Sequence, residues 1–364
     1  MPPRRQTSAE RRRTAASAGD AGSRVELLRP TADQPFMRRF VPPDHDADAA
    51  LADAGVLDWC REPPVALDDI DPLADRIICA DAGDALRRLP DGCVECIITS
   101  PPYWNFVDYG LPDQIGSGAY ERYLADLLGV WEQCERVLRP NGKLCLDAPI
   151  LPIPKAVMPD PHTRHLVNLN NDIEATILRE LSLRRFSLFI WQKQTTEKMF
   201  GSYPYPPNLF EQNTIEFINV FVKPGKPRVL PAEVKEASRL TEKQWLNLTR
   251  QVWHLYPEDI RRVDHPAPFP EALPNRLIAM YTFAAAPESD FLGDLVLDPF
   301  NGTGATCAAA RKLGRRYLGI DLSPHFCLAA AERLRGLSRD GRVFLCRADR
   351  PSRTSADDES AGKR

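Results

Sequence analysis

Thr99-Ser100-Pro101-Pro102-Tyr103-Trp104 follows directly on the apolar run Val94 to Ile98. A hydroxyl, a carbonyl on a residue with no N–H of its own and two flat aromatic faces suit the capture of a planar ring that carries an amine. An ordinary proline-rich strand exit would use the same residues. A second constellation lies far along the chain, where Leu295-Val296-Leu297-Asp298 opens into Pro299-Phe300-Asn301-Gly302-Thr303-Gly304 and Asp321 closes the next apolar run. Glycines let a backbone approach a ligand closely, and an acid at the end of the second strand can take ribose hydroxyls. The turn lacks a full G-x-G-x-x-G, and the carboxylate of Asp298 would repel a pyrophosphate. An acid there favours a cationic adenosine-bearing cofactor, and S-adenosylmethionine is cationic at sulfur and at its amine. Phe300 adds a face for a cation. A plain nucleotide-binding or structural glycine turn is the alternative.

These side chains need elements to hold them. A Pro-Pro step cannot continue a β-branched run, so the chain must break at the carboxyl end of a buried strand, where open α/β sheets bind ligands. Arg76 to Asp81 reads as a buried strand ending in an acid, Ala82 to Leu89 as a short helix and Val94 to Ile98 as the next strand. Apolar spacing predicts a helix over Gly118 to Leu138, closed by the Pro140-Asn141-Gly142 turn, and a strand over Lys143 to Ala148. A helix is expected over Leu166 to Leu181. Alternation predicts strands over Arg185 to Gln192 and Thr214 to Lys223, paired with each other. Helices over Pro270 to Ala285, Cys307 to Leu313 and from Ser323 to about Leu334 continue the α/β rhythm.

With 364 residues, 43% of them hydrophobic, the chain can bury the core of one large α/β domain. No apolar run is long enough to span a membrane. Met1 to Arg24 has arginines with no apolar segment behind them, so a soluble, cytoplasmic protein is expected rather than a secreted one. Residues 1–30, with Arg4, Arg5, Arg11, Arg12 and Arg13, read as a disordered basic arm, 31–75 as a peripheral helix and linker, 76–349 as the folded domain and 350–364 as a disordered tail. A net charge of -3 gives no general pull on nucleic acid, so phosphate contacts would need local clusters. The stretch 193–213 offers Lys193, Lys198, Tyr203 and Tyr205, and the stretch 224–262 offers Lys235, Arg239, Lys243 and Arg250 with Trp245 and Trp253. Of the nine cysteines, only Cys93 and Cys96 form a C-x-x-C, and no second pair accompanies it. Buried thiols and no metal are expected.

Asp298-Pro299-Phe300-Asn301-Gly302-Thr303-Gly304 resembles the S-adenosylmethionine motif of the exocyclic-amino DNA methyltransferases, the cytosine-N4 and adenine-N6 family. Ser100-Pro101-Pro102-Tyr103 resembles their catalytic motif. The catalytic tetrad comes first, an irregular segment and His265-Pro266-Ala267-Pro268-Phe269-Pro270 follow, and the cofactor strand comes last. That order is similar to the circularly permuted beta class, over about Ile77 to Leu334. The resemblance implies an α/β, Rossmann-like methyltransferase fold whose mostly parallel seven-stranded sheet has one antiparallel strand. It implies cofactor contacts from Pro266, Phe269, Asp298, Phe300, Asn301, Gly302, Thr303, Gly304 and Asp321, and from an acid ending the third topological strand. Asp81 is preferred for that acid because the permuted class begins with this strand, and Asp349 at the end of Arg342 to Asp349 is the other candidate. Catalytic roles fall to Ser100, Pro101, Pro102 and Tyr103. Target recognition falls to segments 193–213 and 224–262, with Trp104, Lys193, Lys198, Tyr203 and Tyr205 against DNA.

An exocyclic amine is a weak nucleophile because its lone pair is delocalised into the ring. Hydrogen bonds to Ser100 and the Pro101 carbonyl would aim that lone pair at the methyl group, and orientation of this kind supplies about 7–11 kcal/mol. A base in a duplex must be flipped out at a cost of about a few kcal/mol, offset in part by stacking on Tyr103. Methylation at cytosine C5 would need a nucleophilic cysteine, in that family within a Pro-Cys pair, and the sequence has no such pair. Serine at the first tetrad position resembles the cytosine-N4 enzymes, whereas adenine-N6 enzymes more often carry Asp or Asn. Site-specific modification of double-stranded DNA by a monomer or dimer is expected, in a restriction-modification system with a cognate restriction endonuclease or in another DNA-marking system. RNA and protein methyltransferases with Pro-Pro-Tyr tips usually keep the cofactor motif ahead of the catalytic one. A non-catalytic DNA-binding relative would be expected to have lost part of the site, and Ser100, Asp298, Gly302, Gly304 and Asp321 are all present.

Overall fold

Aliphatic runs buried on both faces form parallel strands, and the computed structural model sets them side by side. It describes residues 24–28, 36–42, 47–111, 114–153, 165–195, 203–258 and 265–337. The runs are β4 (Arg76–Cys79), β5 (Val94–Thr99), β7 (Leu138–Ile153), β12 (Leu295–Asp298) and β13 (Arg316–Asp321). They lie in the order β7-β5-β12-β13-β4, all parallel. Beyond β7 comes β10 (Ile215–Val222), antiparallel both to β7 and to its outer neighbour β9 (Arg184–Lys193). The expected seven-stranded, mostly parallel sheet is therefore present, with β10 as its one reversed strand among the described residues. Short strands are added around it: β3 (Leu57–Asp58) beyond β4, β11 (Val252–Leu255) beyond β9, and β8 (His165–Asn168) against β7.

Successive strand residues point to opposite faces and feed two cores. Ile78, Ile97, Leu144 and Leu297 pack with α2 (Ala82–Arg88), α3 (Tyr120–Val137) and α4 (Leu169–Glu180) on one side. On the other side Ile77, Ile98, Cys145 and Val296 meet α1 (Ala47–Asp53), α7 (Ala272–Tyr281), α8 (Ala305–Lys312) and α9 (Pro324–Leu334). The result is a three-layer α/β/α domain.

Several boundaries differ from the sequence expectation. After α3 no separate turn intervenes: the chain runs straight into β7, with Asn141 at φ 65° inside that strand. The helix expected from Leu166 begins at Leu169, because Asn168 accepts from the Asn171 N–H as an N-cap and the residues before it pair as β8. The stretch expected as arm and linker contributes strands. β1 (Arg24–Leu27), β2 (Arg38–Val41) and β6 (Val107–Asp108) form a small sheet, and Phe40 packs on Phe326 with ring centroids 4.8 Å apart. Between 224 and 262, α5 (Ala232–Ala237) and α6 (Glu242–Leu248) precede β11, and Trp253 is a core residue stacked on Phe189 at 4.5 Å while Trp245 stays exposed. The arginines of residues 4–13, the stretch 342–349 with Asp349 and the tail 350–364 lie outside the described residues. Among the described residues no helix is long and apolar enough to cross a membrane.

Candidate active site

Neighbouring strands β5 and β12 bring the two sequence motifs together. The last residue of β5, Thr99, donates from Oγ1 to Asp298 Oδ1 at 2.6 Å across 199 positions of sequence. Around that junction opens a cavity of about 1050 Å³, mouth included. Ser100, Pro101, Pro102 and Tyr103 form one wall, and Phe300, Asn301, Gly302 and Thr303 form the next. Asp81 and Asp321, leaving β4 and β13 on the same rim, stand at the far end, and Phe269 joins them. Strands β2 and β6 lie beside the opening. Phe106, Val107 and Tyr109 line it, and so does Ile115, none of which the sequence had singled out.

Other predicted residues do not face the cavity. Asp298 is fully buried under the glycine turn, where Oδ1 also accepts the Phe300 N–H at 3.1 Å and Oδ2 has no partner. Burial pushes its carboxyl up to about 7, and its Oδ1 ties the ends of β5 and β12 together. Gly304, at φ +77°, serves packing, since a Cβ there would lie 3.0 Å from that of Ala330. Pro266 offers its carbonyl to Arg38 Nη1 at 2.9 Å. Trp104, expected against DNA, is 5% exposed: its indole N–H donates to the Gly118 carbonyl at 2.9 Å and its ring packs on Tyr120. The chain turns inward after Tyr103, which makes Trp104 a core post. Lys198 lies outside the described residues, while Tyr203 and Tyr205 are exposed, away from the cavity.

Behind the tetrad stands a cluster of acids that sequence reasoning missed. Tyr103 Oη is 2.7 Å from Ser100 Oγ and donates to Glu216 Oε2 at 3.1 Å. Lys193, expected to meet DNA, instead forms an ion pair with Glu216. A carboxylate held by an ammonium is an acceptor only, so the single Tyr103 proton points to Glu216 and the Ser100 hydroxyl must donate to Tyr103. Ser100 therefore shows its lone pairs to the cavity. Burial, with Glu216 nearby, raises the Tyr103 phenol well above its ordinary value. Asp147, 2% exposed, has no donor to either oxygen. Burial and the adjacent Glu216 push its carboxyl well above the usual range. The signal was an acid set within the apolar run of each of two strands.

The cofactor end is organised by backbone. Asp321 accepts the Gly302 N–H at 2.7 Å and the Ser323 N–H at 2.9 Å, and burial holds its carboxyl up at about 6. Asp81 caps α2 by accepting from Asp84 N at 2.9 Å. His265 Nδ1 accepts from Ala267 N at 3.1 Å, and burial lowers its imidazole to about 4, so the ring facing Gly302 is neutral. Two carboxyl groups at one end, apolar rings along the walls and the unpartnered Asp298 oxygen beneath the floor fit an adenosine-bearing cation. A Cβ at Gly319 would lie 2.6–2.8 Å from the Asn301 side chain. Gly319→Ala should therefore displace the turn, at a cost of about 1–3 kcal/mol, and weaken cofactor binding about tenfold by calorimetry; unchanged affinity would contradict the close fit. If Asp321 takes the ribose hydroxyls, as the motif resemblance implies, it does so best when ionised. Cofactor affinity should therefore hold above pH 6 and fall below it, by at most about tenfold per unit for one proton, and a flat profile from pH 5 to 8 would exclude this assignment.

A family model described as DNA methylase, for the N6 and N4 methyltransferases, matches residues 94–332. The chain is 29% identical over 278 residues to the Type II methyltransferase M.XycI of Xanthomonas campestris pv. cyanopsidis, covering 70% of this chain and 86% of that one. For M.Cfr9I of Citrobacter freundii the identity is 26% over 276 residues, with the same coverage. Among solved structures it resembles TTHA0409 of Thermus thermophilus, described as a DNA modification methylase and crystallised with S-adenosyl-L-methionine. That likeness has a TM-score of 0.56 at 32% identity over 72% of this chain and 97% of the other. The cytosine-N4-specific PvuII DNA methyltransferase shares the fold at a TM-score of 0.52 and 17% identity, over 72% of this chain and 88% of that one. The matched span holds the tetrad, the glycine turn and the sheet that joins them: the chain belongs to the N6/N4 DNA methylase family.

Proposed function

We propose that the protein is a Type II DNA methyltransferase that modifies the exocyclic N4 of cytosine within a defined sequence of double-stranded DNA. The observation that carries this reading is the Ser100–Tyr103–Glu216 chain of hydrogen bonds, which turns a neutral serine into an acceptor at the cavity wall. S-adenosylmethionine, when bound, supplies a methyl group on a positively charged sulfur. Ser100 Oγ and the Pro101 carbonyl each accept one hydrogen of the flipped base's amine and turn its lone pair out of conjugation. As the nitrogen gains the methyl group it must lose a proton. Ser100 takes that proton while passing its own to Tyr103, and the phenol proton moves to Glu216, so every oxygen keeps its valence. Asp81 serves the adenine end and Asp321 the ribose, with Phe269 and Phe300 along the apolar walls.

Serine at position 100 favours cytosine, because the family's adenine enzymes more often carry Asp or Asn there. Exposed Tyr203, Tyr205 and Trp245 supply faces toward the duplex, and the Type II names of the relatives support a cognate endonuclease as partner. The test is incubation with duplex DNA and methyl-labelled S-adenosylmethionine, followed by mass spectrometry of the released nucleosides. N4-methylcytosine is the expected product. N6-methyladenine would overturn the choice of base, and cofactor binding without any labelled nucleoside would overturn the enzyme reading.

A further inference from the structure

Below the rim that carries Asp81 and Asp321, separate elements bring sulfur together. β3 lies parallel to β4 with Asp58 opposite Cys79, and the chain beyond β3 folds back so that the Cys60 N–H donates to the Cys79 carbonyl at 3.1 Å. One ligand-capable atom from each of Asp58, Cys60 and Cys79 lies within 4.8 Å of the other two. The Cys327 thiol, from the start of α9, adjoins Cys79 and sits 3.5 Å from the Asp321 carbonyl oxygen. Asp58 is half-buried, Cys60 exposed and Cys79 buried, so the cluster reaches from solvent to core. Methyl transfer uses none of these groups.

Two or three thiols with one carboxylate form a donor set for zinc rather than for magnesium or calcium, which prefer oxygen ligands. A tetrahedral zinc ion with bonds of about 2.0–2.3 Å holds its ligand atoms about 3.5 Å apart, so the three groups need close by only about an ångström. Cys60 has the freedom to move, being exposed. Among the described residues, the cation that competes for Asp58 is Arg61, whose Nε is 3.7 Å from Oδ2 and whose side chain is 62% exposed.

We infer that Asp58, Cys60 and Cys79 form a zinc site, with Cys327 as the fourth donor. Each thiol releases a proton to solvent as its sulfur–zinc bond forms, so no oxidant is required and affinity rises with pH. The ion would join β3, β4 and α9 beneath the adenosine end of the cavity. Asp81 follows Cys79 by two residues, and the Cys79 thiol already lies 3.8 Å from the carbonyl oxygen of Leu322, a cavity residue.

The test uses the full chain, stripped with chelator and kept under a phosphine reductant, titrated with cobalt(II) and then zinc. One equivalent of cobalt with the charge-transfer absorption of thiolate ligands, displaced by one equivalent of zinc, is expected. The absorption should be weakened, and cobalt bound less tightly, in Cys60→Ser, an exposed position, and both should be kept in Cys93→Ser, which lies outside the cluster. Absence of the thiolate absorption in the wild type, or absorption and cobalt affinity both undiminished in Cys60→Ser, overturns the assignment.

Discussion

Ser100→Ala is expected to lower the rate of methyl transfer by about 10²–10³-fold, the loss of about 2.7–4 kcal/mol typical of removing one preorganised polar contact to the reacting group. Cofactor affinity should stay nearly unchanged, because Ser100 lies on the tetrad wall while the two carboxyl groups and the glycine turn hold the far end. The alanine leaves the Pro101 carbonyl to orient the amine alone. It also leaves Tyr103 bound to Glu216, so the wall keeps its shape. Single-turnover rates alongside calorimetry on the same preparation check this. An equal loss of rate and of cofactor affinity would show that the serine holds the cavity together instead of directing the amine.

The second large effect is one of stability. Lys193→Met should destabilise the fold by about 3–5 kcal/mol at pH 7, since it leaves a buried carboxylate without its counter-charge. Glu216 is 6% exposed and Asp147 2%, and Lys193 forms its ion pair with Glu216. Burial and the neighbouring carboxylate hold the Asp147 carboxyl well above its usual range, so removing the cation leaves the folded state favoured by protonation. The folded state then binds more protons than the unfolded state in that window, so stability rises as pH falls. Chemical denaturation at pH 7 and pH 5 should show the deficit shrinking at the lower value. A deficit of equal size at both would mean that Lys193 acts through packing on Trp191, over whose ring its Nζ lies at 5.4 Å.

What could be read from sequence was what depends on local backbone chemistry. Pro101-Pro102 must end a strand, and Gly302 and Gly304 must open a turn, whatever surrounds them, so both walls of the cavity were legible, as was the pairing of β9 with β10, while the presence of one reversed strand came only from the family resemblance. The acids behind Tyr103 were not. Glu216 and Asp147 stand in apolar runs where their types are conspicuous, yet which rim a strand end reaches depends on strand direction and sheet order, and these are set by the whole fold. Trp104 shows the converse, since an aromatic after a tight turn can face either way until Gly118 supplies its acceptor. The strands β1, β2 and β6 are four residues or fewer and too short to display a period, so the small sheet beside the cavity left no trace in the pattern.

β10 enters the sheet at the edge where its neighbours leave it. Its first residues, not its last, therefore stand among the reactive groups, and Glu216 is the second of them. Just upstream, Thr214 accepts the Lys193 N–H at 2.7 Å, which pins the two ends of the connection 194–213 to each other. If that connection seats on a duplex as proposed, a displacement of its base travels two residues along the backbone to reach the carboxylate that holds Tyr103, and one side chain further to Ser100. Sequence reading and chemistry would then share a single length of main chain, so a mis-seated duplex would misalign the serine with no intermediary element between them.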